Sequence, residues 1–271
     1  MTNAIQINIR EIVREKAPNA FRKIPDFVFR YLERTIHQNE INDILIRFHD
    51  LQGVDFMNAL VEYFGVKLTV SGLDQIPTSG RYIFASNHPL GGLDGICLSS
   101  LLGNHFNGNI RYLVNDLLLY LPNLQSIFVP INKHGAQSRE NVRKIDEAYA
   151  SDNQIITFPA GLCSRKVDGG IRDLDWKKSF IQKAVETRRD IVPVYFDGRN
   201  SMFFYRFANL RKMLGIRLNI EMIYLPDEMF RAKGRSFRIV FGRPIPYDTF
   251  VRPLTPSAWA MWVKNQVYEL K

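Results

Sequence analysis

Apolar and polar positions follow two different rhythms along this chain, and the change falls near residue 66. Before it, Ile41, Ile44, Leu45 and Phe48, then Phe56, Leu60 and Phe64, recur at helical spacing. They predict an amphipathic helix over 40–64, with Gly53 as the place where it would break. Upstream, residues 20–34 alternate large apolar side chains with arginines. Such a segment suits either a membrane interface or a solvated helix that lays its aromatics on the main domain. Residues 5–14 begin with strand-like alternation and then shift, which leaves their type open. Two helices ahead of the first strand predict an N-terminal helical hairpin.

After residue 66 the apolar positions gather into short runs bounded by turn residues. Strands are expected at 67–70, 81–85, 110–114, 127–131, 154–159 and 191–196, with later ones at 218–223 and 237–241. Helices are expected at 94–102, 139–150, 179–187 and 257–270, the last with Trp259 and Trp262 partly buried. Strands alternating with helices predict an α/β fold, a mixed and largely parallel sheet flanked by helices. The expected division is a helical region at 1–65, suited to membrane docking, and a main domain at 66–271.

Composition narrows the partners more than the fold. The 271 residues are 46% hydrophobic and 23% charged, as in ordinary globular proteins, and carry a net charge of +9. That charge suits anionic lipid, phosphorylated substrates, nucleic acid or an acidic carrier protein. The cations are dispersed, and no nucleic-acid module is recognisable, so no nucleic-acid partner is expected. Cys97 and Cys163 lack metal-ligand spacing, and a reducing cytosolic setting fits. No apolar run reaches the roughly 18–20 residues needed to span a bilayer, so no transmembrane segment is expected.

The candidate chemistry sits in Asn87-His88-Pro89-Leu90-Gly91-Gly92-Leu93-Asp94, between an apolar run and a helix start. An imidazole removes a proton from an alcohol near neutral pH if a carboxylate on its other nitrogen fixes the tautomer. Asp94 is the candidate carboxylate. Five residues separate it from His88, so the chain must fold back, and Gly91 and Gly92 permit that. By itself the stretch also reads as an ordinary turn with Asp94 capping a helix.

Four blocks in order change that balance. Asn87-His88 with Asp94 resembles the first motif of the glycerolipid acyltransferases, the family that acylates lysophosphatidic acid and related lyso-lipids. Ile131-Asn132-Lys133 with Arg139 resembles the second motif, Phe158-Pro159-Ala160-Gly161 with Ser164-Arg165 the third, and Ile191-Val192-Pro193-Val194 the fourth. The resemblance covers 67–242. Two departures stand out: the His–Asp spacing is one residue longer than is usual for the family, and Ala160 replaces its usual glutamate. Both resemble the branch containing bacterial O-acyltransferases of amino-acid lipids, whose acceptor is an N-acyl amino acid with a hydroxyl on its acyl chain.

The resemblance implies acyl transfer from a thioester to a lyso-lipid hydroxyl, with His88 as base and Asp94 orienting it. It also implies a substrate-binding set of Asn87, Lys133, Arg139, Gly161, Ser164 and Arg165. Arg165, and then Lys133 and Arg139, would meet the anionic part of a substrate. Backbone N–H groups near Gly161 and Leu162 would meet the oxyanion, unless Gly161 only makes a turn. No metal and no permanently bound cofactor is expected; acyl carrier protein or coenzyme A would carry the acyl co-substrate. Expected partners are an anionic membrane surface, the lyso-lipid acceptor and acyl carrier protein, at the cytoplasmic side of the inner membrane. Cys163 reads as a small buried hydrophobe, and His37, His49, His105 and His134 receive no role. The competing reading is a non-catalytic lipid-binding protein of the same fold.

Overall fold

The computed structural model describes residues 6–115, 121–131, 139–167 and 169–271. Seven strands form one sheet in the spatial order β1 (Lys67–Ser71), β9 (Ser236–Phe241), β8 (Asp190–Asp197), β2 (Tyr82–Ser86), β5 (Gln154–Thr157), β3 (Ile110–Asn115) and β4 (Phe128–Ile131). Every pairing is parallel except β8 with β9. The mixed, largely parallel sheet read from the sequence is what the chain forms. β2 lies at its centre and is buried along its whole length. Its neighbours β5 and β8 run parallel to it, with Ala85 opposite Thr157 on one side and Ser86 opposite Val194 on the other. The chain therefore leaves all three strands at the same edge of the sheet, where α/β folds place their ligands.

Alternate side chains of β2 enter different layers. Ile83 and Ala85 join a core with helices α8 (Ser179–Thr187) and α11 (Pro256–Glu269), through Phe180, Ile181, Trp259 and Val263. Phe84 instead meets Phe106, at 5.7 Å between ring centroids, just past helix α6 (Leu93–His105). Helix α5 (Gly53–Phe64) packs on α6, where a Cβ on Gly103 would come within 2.5 Å of Val54. Gly53 opens α5 at φ +54, and a Cβ there would meet Ser126 Oγ at 2.9 Å. The helix expected over 40–64 breaks there because glycine alone fits that conformation and that space.

At the opposite edge the carboxyl end of α7 (Arg139–Ala150) is held by a fully buried arginine. Arg189 donates to the carbonyls of Tyr149 (2.9 Å), Asn153 (2.8 Å) and Ser151. Arg81 adds bonds to Tyr149, Ala150 and Ser151. Burial, with Arg81 nearby, pulls the Arg189 guanidinium down to about 10.

The chain divides into two compact units that do not follow the division at residue 65. Gln52–Arg199 and Gly234–Lys271 form the sheet unit, which takes in α5. Met1–Leu51 and Asn200–Lys233 form the other. This second unit contains α1 (Ile9–Lys16), α2 (Pro18–Phe21), α3 (Asp26–Thr35), α4 (Gln38–Arg47), α9 (Met202–Met213) and α10 (Leu225–Arg231). The expected two-helix hairpin is thus several shorter helices. α1 starts where the Asn8 side chain accepts from the N–H groups of Arg10 and Glu11, which settles residues 9–16 as helix.

The strand expected at 218–223 is not formed; Ile220–Tyr224 is a 3₁₀ turn. A short apolar run has the same pattern in either conformation. Here Arg211 of α9 pairs with the buried Glu221 at 2.9 Å, and Tyr224 packs on Phe203 and Phe207. Both contacts draw the backbone against a helix.

Candidate active site

His88 lies two residues beyond β2, in a loop that returns directly into α6. Gly91 takes φ +78, the left-handed turn the sequence suggested. The loop closes around one carboxylate. Asp94 Oδ2 accepts from His88 Nδ1 at 2.9 Å, from the Leu90 N–H at 2.9 Å and from the Gly91 N–H at 3.3 Å. Its Oδ1 accepts from the N–H groups of Gly92 and Gly95, both at 3.0 Å. The additional residue between His88 and Asp94 is absorbed in this ring of amides, and Asp94 also stands in the first turn of α6, where the helix dipole favours negative charge.

Burial pushes the Asp94 carboxyl upward, but His88 and the amides of Leu90 and Gly91 outweigh it and hold the acid below its ordinary value. An ionised Asp94 accepts the Nδ1 proton, which leaves Nε2 with the lone pair. Among the described residues no hydrogen-bond partner meets Nε2. Phe158 stacks on the imidazole, with centroids 4.0 Å apart and planes at 27°.

A second buried acid, which the sequence reading missed, holds the His88 backbone. Asp173 Oδ1 accepts from the His88 N–H (3.2 Å) and from Ser164 Oγ (2.6 Å), and its Oδ2 accepts from Trp176 Nε1 (3.0 Å). The Asp173 N–H in turn donates to Tyr268 Oη at 2.7 Å. Nothing local separates Asp173 from the exposed Asp175 two residues on. The distinction arises only when the hairpin β6 (Arg165–Val167) and β7 (Gly170–Arg172) delivers Asp173 beneath the loop. Burial raises the Asp173 carboxyl, and the bonds from Ser164, Trp176 and His88 only partly offset it.

The two acids therefore respond oppositely to pH. Asp94, with its pKa lowered, contributes stability above the ordinary value of 3.8 and loses it as pH falls through the lower folded value. Asp173, with its pKa raised, contributes below 3.8 and loses that stability as pH rises through its higher folded value. Carbon-detected NMR of aspartate-labelled protein is expected to show Asp94 still ionised at pH 3.8 and Asp173 titrating above it. Spectra of Asp94→Asn and Asp173→Asn would assign the two signals; a reversed order would contradict the arrangement.

The remaining expected site residues divide sharply. Asn87 is buried and exchanges two hydrogen bonds with the Phe196 backbone (2.9 and 2.7 Å), which ties the end of β2 to β8. Ser164 gives its hydroxyl to Asp173, and its N–H donates to the His88 carbonyl at 2.8 Å. Arg165 is buried and turns Nη1 to the Cys163 carbonyl (2.8 Å) and Sγ (2.9 Å). The Gly161 N–H, expected to meet an oxyanion, donates to the Phe158 carbonyl at 2.9 Å in a turn with φ +72. Asn87 and Ser164 thus brace the loop that carries His88, whereas these bonds of Arg165 and Gly161 run within residues 158–165. Arg139 is exposed at the start of α7, and Lys133 lies outside the described residues. A cation the sequence reading did not select, Lys177, brings Nζ to 3.4 Å from where a Gly161 Cβ would stand. Cys163 is fully buried, and burial, only partly offset by Arg165, pushes its thiol up to about 11. Among the described residues no group of three or more His, Cys, Asp or Glu side chains is placed to hold a metal.

The sequence matches the family model described as "Acyltransferase" over residues 11–269. This chain belongs to the acyltransferase family. It is 49% identical over 264 residues to a lyso-glycine lipid O-acyltransferase of Bacteroides thetaiotaomicron, covering 97% of each chain. A protein of the same name from Phocaeicola vulgatus is also 49% identical, over 97% of this chain and 95% of that one. The crystal structure of the 1-acyl-sn-glycerophosphate (LPA) acyltransferase PlsC from Thermotoga maritima aligns with a TM-score of 0.48 at 15% identity, covering 89% of this chain and 96% of that one. The resemblance read from four short blocks is thus a relationship along nearly the whole acyltransferase chain.

Proposed function

We infer that this acyltransferase moves a fatty acyl group from a thioester to the hydroxyl of an N-acyl amino-acid lyso-lipid, a lyso-glycine lipid, at a membrane surface. The observation that carries the reading is the His88–Asp94 pair, 2.9 Å apart at the carboxyl edge of the sheet with Nε2 left for a substrate. Nε2 takes the acceptor's hydroxyl proton as the oxygen attacks the thioester carbonyl. The C–O bond forms, the C–S bond breaks, and the imidazolium returns the proton to the departing thiolate. Asp94 stabilises the imidazolium and keeps the ring's orientation. No acyl-enzyme is needed, because the acceptor oxygen is itself the nucleophile.

The choice of acceptor rests on the name of the relatives, lyso-glycine lipid O-acyltransferase. Ala160 is buried in the core with Trp176 and Phe180, and a glutamate there would bury a charge among apolar groups. A lyso-glycine lipid would present a carboxylate where lysophosphatidic acid presents a phosphate. Lys177, beside Gly161, is a cation suited to that carboxylate. The net charge of +9 suits an anionic acyl donor, carried on acyl carrier protein or coenzyme A.

The test offers purified protein an N-(hydroxyacyl)glycine and lysophosphatidic acid separately, with acyl carrier protein and coenzyme A thioesters in parallel, and reads products by mass spectrometry. The diacylated glycine lipid is expected as the main product. Preferential formation of phosphatidic acid would overturn the acceptor assignment.

A further inference from the structure

The unit formed by Met1–Leu51 and Asn200–Lys233 turns apolar side chains outward. Along α9 the buried residues are Phe204, Tyr205 and Ala208. Met202, Phe203, Leu210 and Met213, at helical spacing on the opposite side, are exposed. The chain continues through Leu214, Ile216 and Leu218, exposed by 62%, 40% and 75%. Phe203 and Phe207 pack on Tyr224, whose hydroxyl meets that of Tyr31 at 2.5 Å. Tyr31 and Phe27, one turn apart on α3, are themselves half-exposed or more. The apolar surface is therefore continuous across α9, the loop after it, and α3. Scattered exposed leucines are ordinary on soluble proteins, but a continuous patch of this kind marks a binding surface.

Charge identifies the occupant. From Asn200 to Asn219 there is no acidic residue, whereas Arg206, Arg211, Lys212 and Arg217 are basic. Arg211 is engaged by Glu221, but Arg206, Lys212 and Arg217 are exposed among the apolar side chains. Apolar side chains interleaved with arginine and lysine match a bilayer interface, the former entering the acyl boundary and the latter meeting anionic headgroups. No described helix is long and apolar enough to cross a membrane, so this contact would be peripheral.

We propose that α9 and the loop 214–218, with Phe27 and Tyr31 of α3 beside them, form the surface by which this protein docks on an anionic lipid bilayer. The docking surface rests on the membrane-surface reading above and gives it an address, which the sequence reading offered within the helical region 1–65, residues 20–34 in particular.

The test is co-sedimentation of the full chain with vesicles of phosphatidylcholine alone or with added phosphatidylglycerol. It compares wild type, Leu214→Glu with Leu218→Glu, and Arg206→Ala with Arg217→Ala. All three are also assayed for acyl transfer to acceptor dispersed in detergent. Wild type is expected to bind the anionic vesicles, the glutamate pair to lose about ten-fold or more of that affinity, and the alanine pair to lose the preference for phosphatidylglycerol. Turnover in detergent is expected to be unchanged in both variants. Equal binding by wild type and the glutamate pair, or no binding by wild type, overturns the docking surface. So does a wild-type dimer that the glutamate pair dissociates without change in vesicle binding. Detergent turnover in those cases would show that the acyl-transfer reading stands independently; its absence in wild type would remove that reading instead.

Discussion

His88→Ala is expected to lower acyl transfer by about 10²–10⁴-fold while the protein stays folded and still binds lipid vesicles. The size follows from what is removed: the general base in the proposed attack, together with the imidazolium that returns a proton to the leaving thiolate. Folding should survive because Asp94 keeps its four backbone donors, the amides of Leu90, Gly91, Gly92 and Gly95. The ionised carboxylate is therefore not stranded when its imidazole goes. Steady-state turnover, a thermal melt and vesicle co-sedimentation check the three parts separately. Unchanged turnover would show that His88 is not the base and that the His88–Asp94 pair is structural. Loss of turnover and folding together would show that the imidazole is needed to hold the loop.

Arg189→Ala is expected to destabilise the protein by about 3–5 kcal/mol without altering the chemistry. The guanidinium is fully buried and gathers the carbonyls of Tyr149, Ser151 and Asn153, so its removal leaves buried acceptors unpaired and a side-chain-sized void. Arg81 reaches two of the same carbonyls and limits the loss. A destabilisation of this size corresponds to a melting temperature lower by roughly 6–20 °C for a domain of this class. Arg189 precedes β8 and serves the turn ahead of β5, at the opposite ends of these strands from His88. Turnover measured well below the melt should match wild type. A melt within about 1 °C of wild type would show that solvent or Arg81 satisfies those carbonyls.

Family membership sharpens the meaning of the two departures from the usual motifs. The longer His–Asp spacing does not separate the pair, because Gly91 turns the chain and the additional amide finds a place on the same carboxylate. Ala160 belongs to the packed layer below the loop. In the third block, expected to hold substrate through Gly161, Ser164 and Arg165, these residues bond to neighbouring protein atoms. Its best-defined contribution is to grip His88 from below, by the Ser164 N–H on the His88 carbonyl and by Asp173 on the His88 N–H.

The sequence by itself determined the seven strands of the large sheet and the helices between them in the sheet unit, since runs such as 154–157 and 190–197 are too apolar to stay outside a core. It also determined the pairing of His88 with Asp94, because a glycine turn between a strand and a helix brings a residue near the helix start back to the strand's end. These are short-range consequences of periodicity and turn chemistry. Only the tertiary structure decided which protein groups the site's polar residues meet. Asn87 finds its partner in Phe196, and Asp173 finds the His88 backbone, across separations that no local pattern encodes. The same holds for the apolar side chains of residues 202–223, of which the sequence reading assigned only 218–223, to a strand. Whether such a face points inward depends on what packs against it, and here α9 spends its inner side on Phe204, Tyr205 and Ala208 and leaves the other to the surroundings.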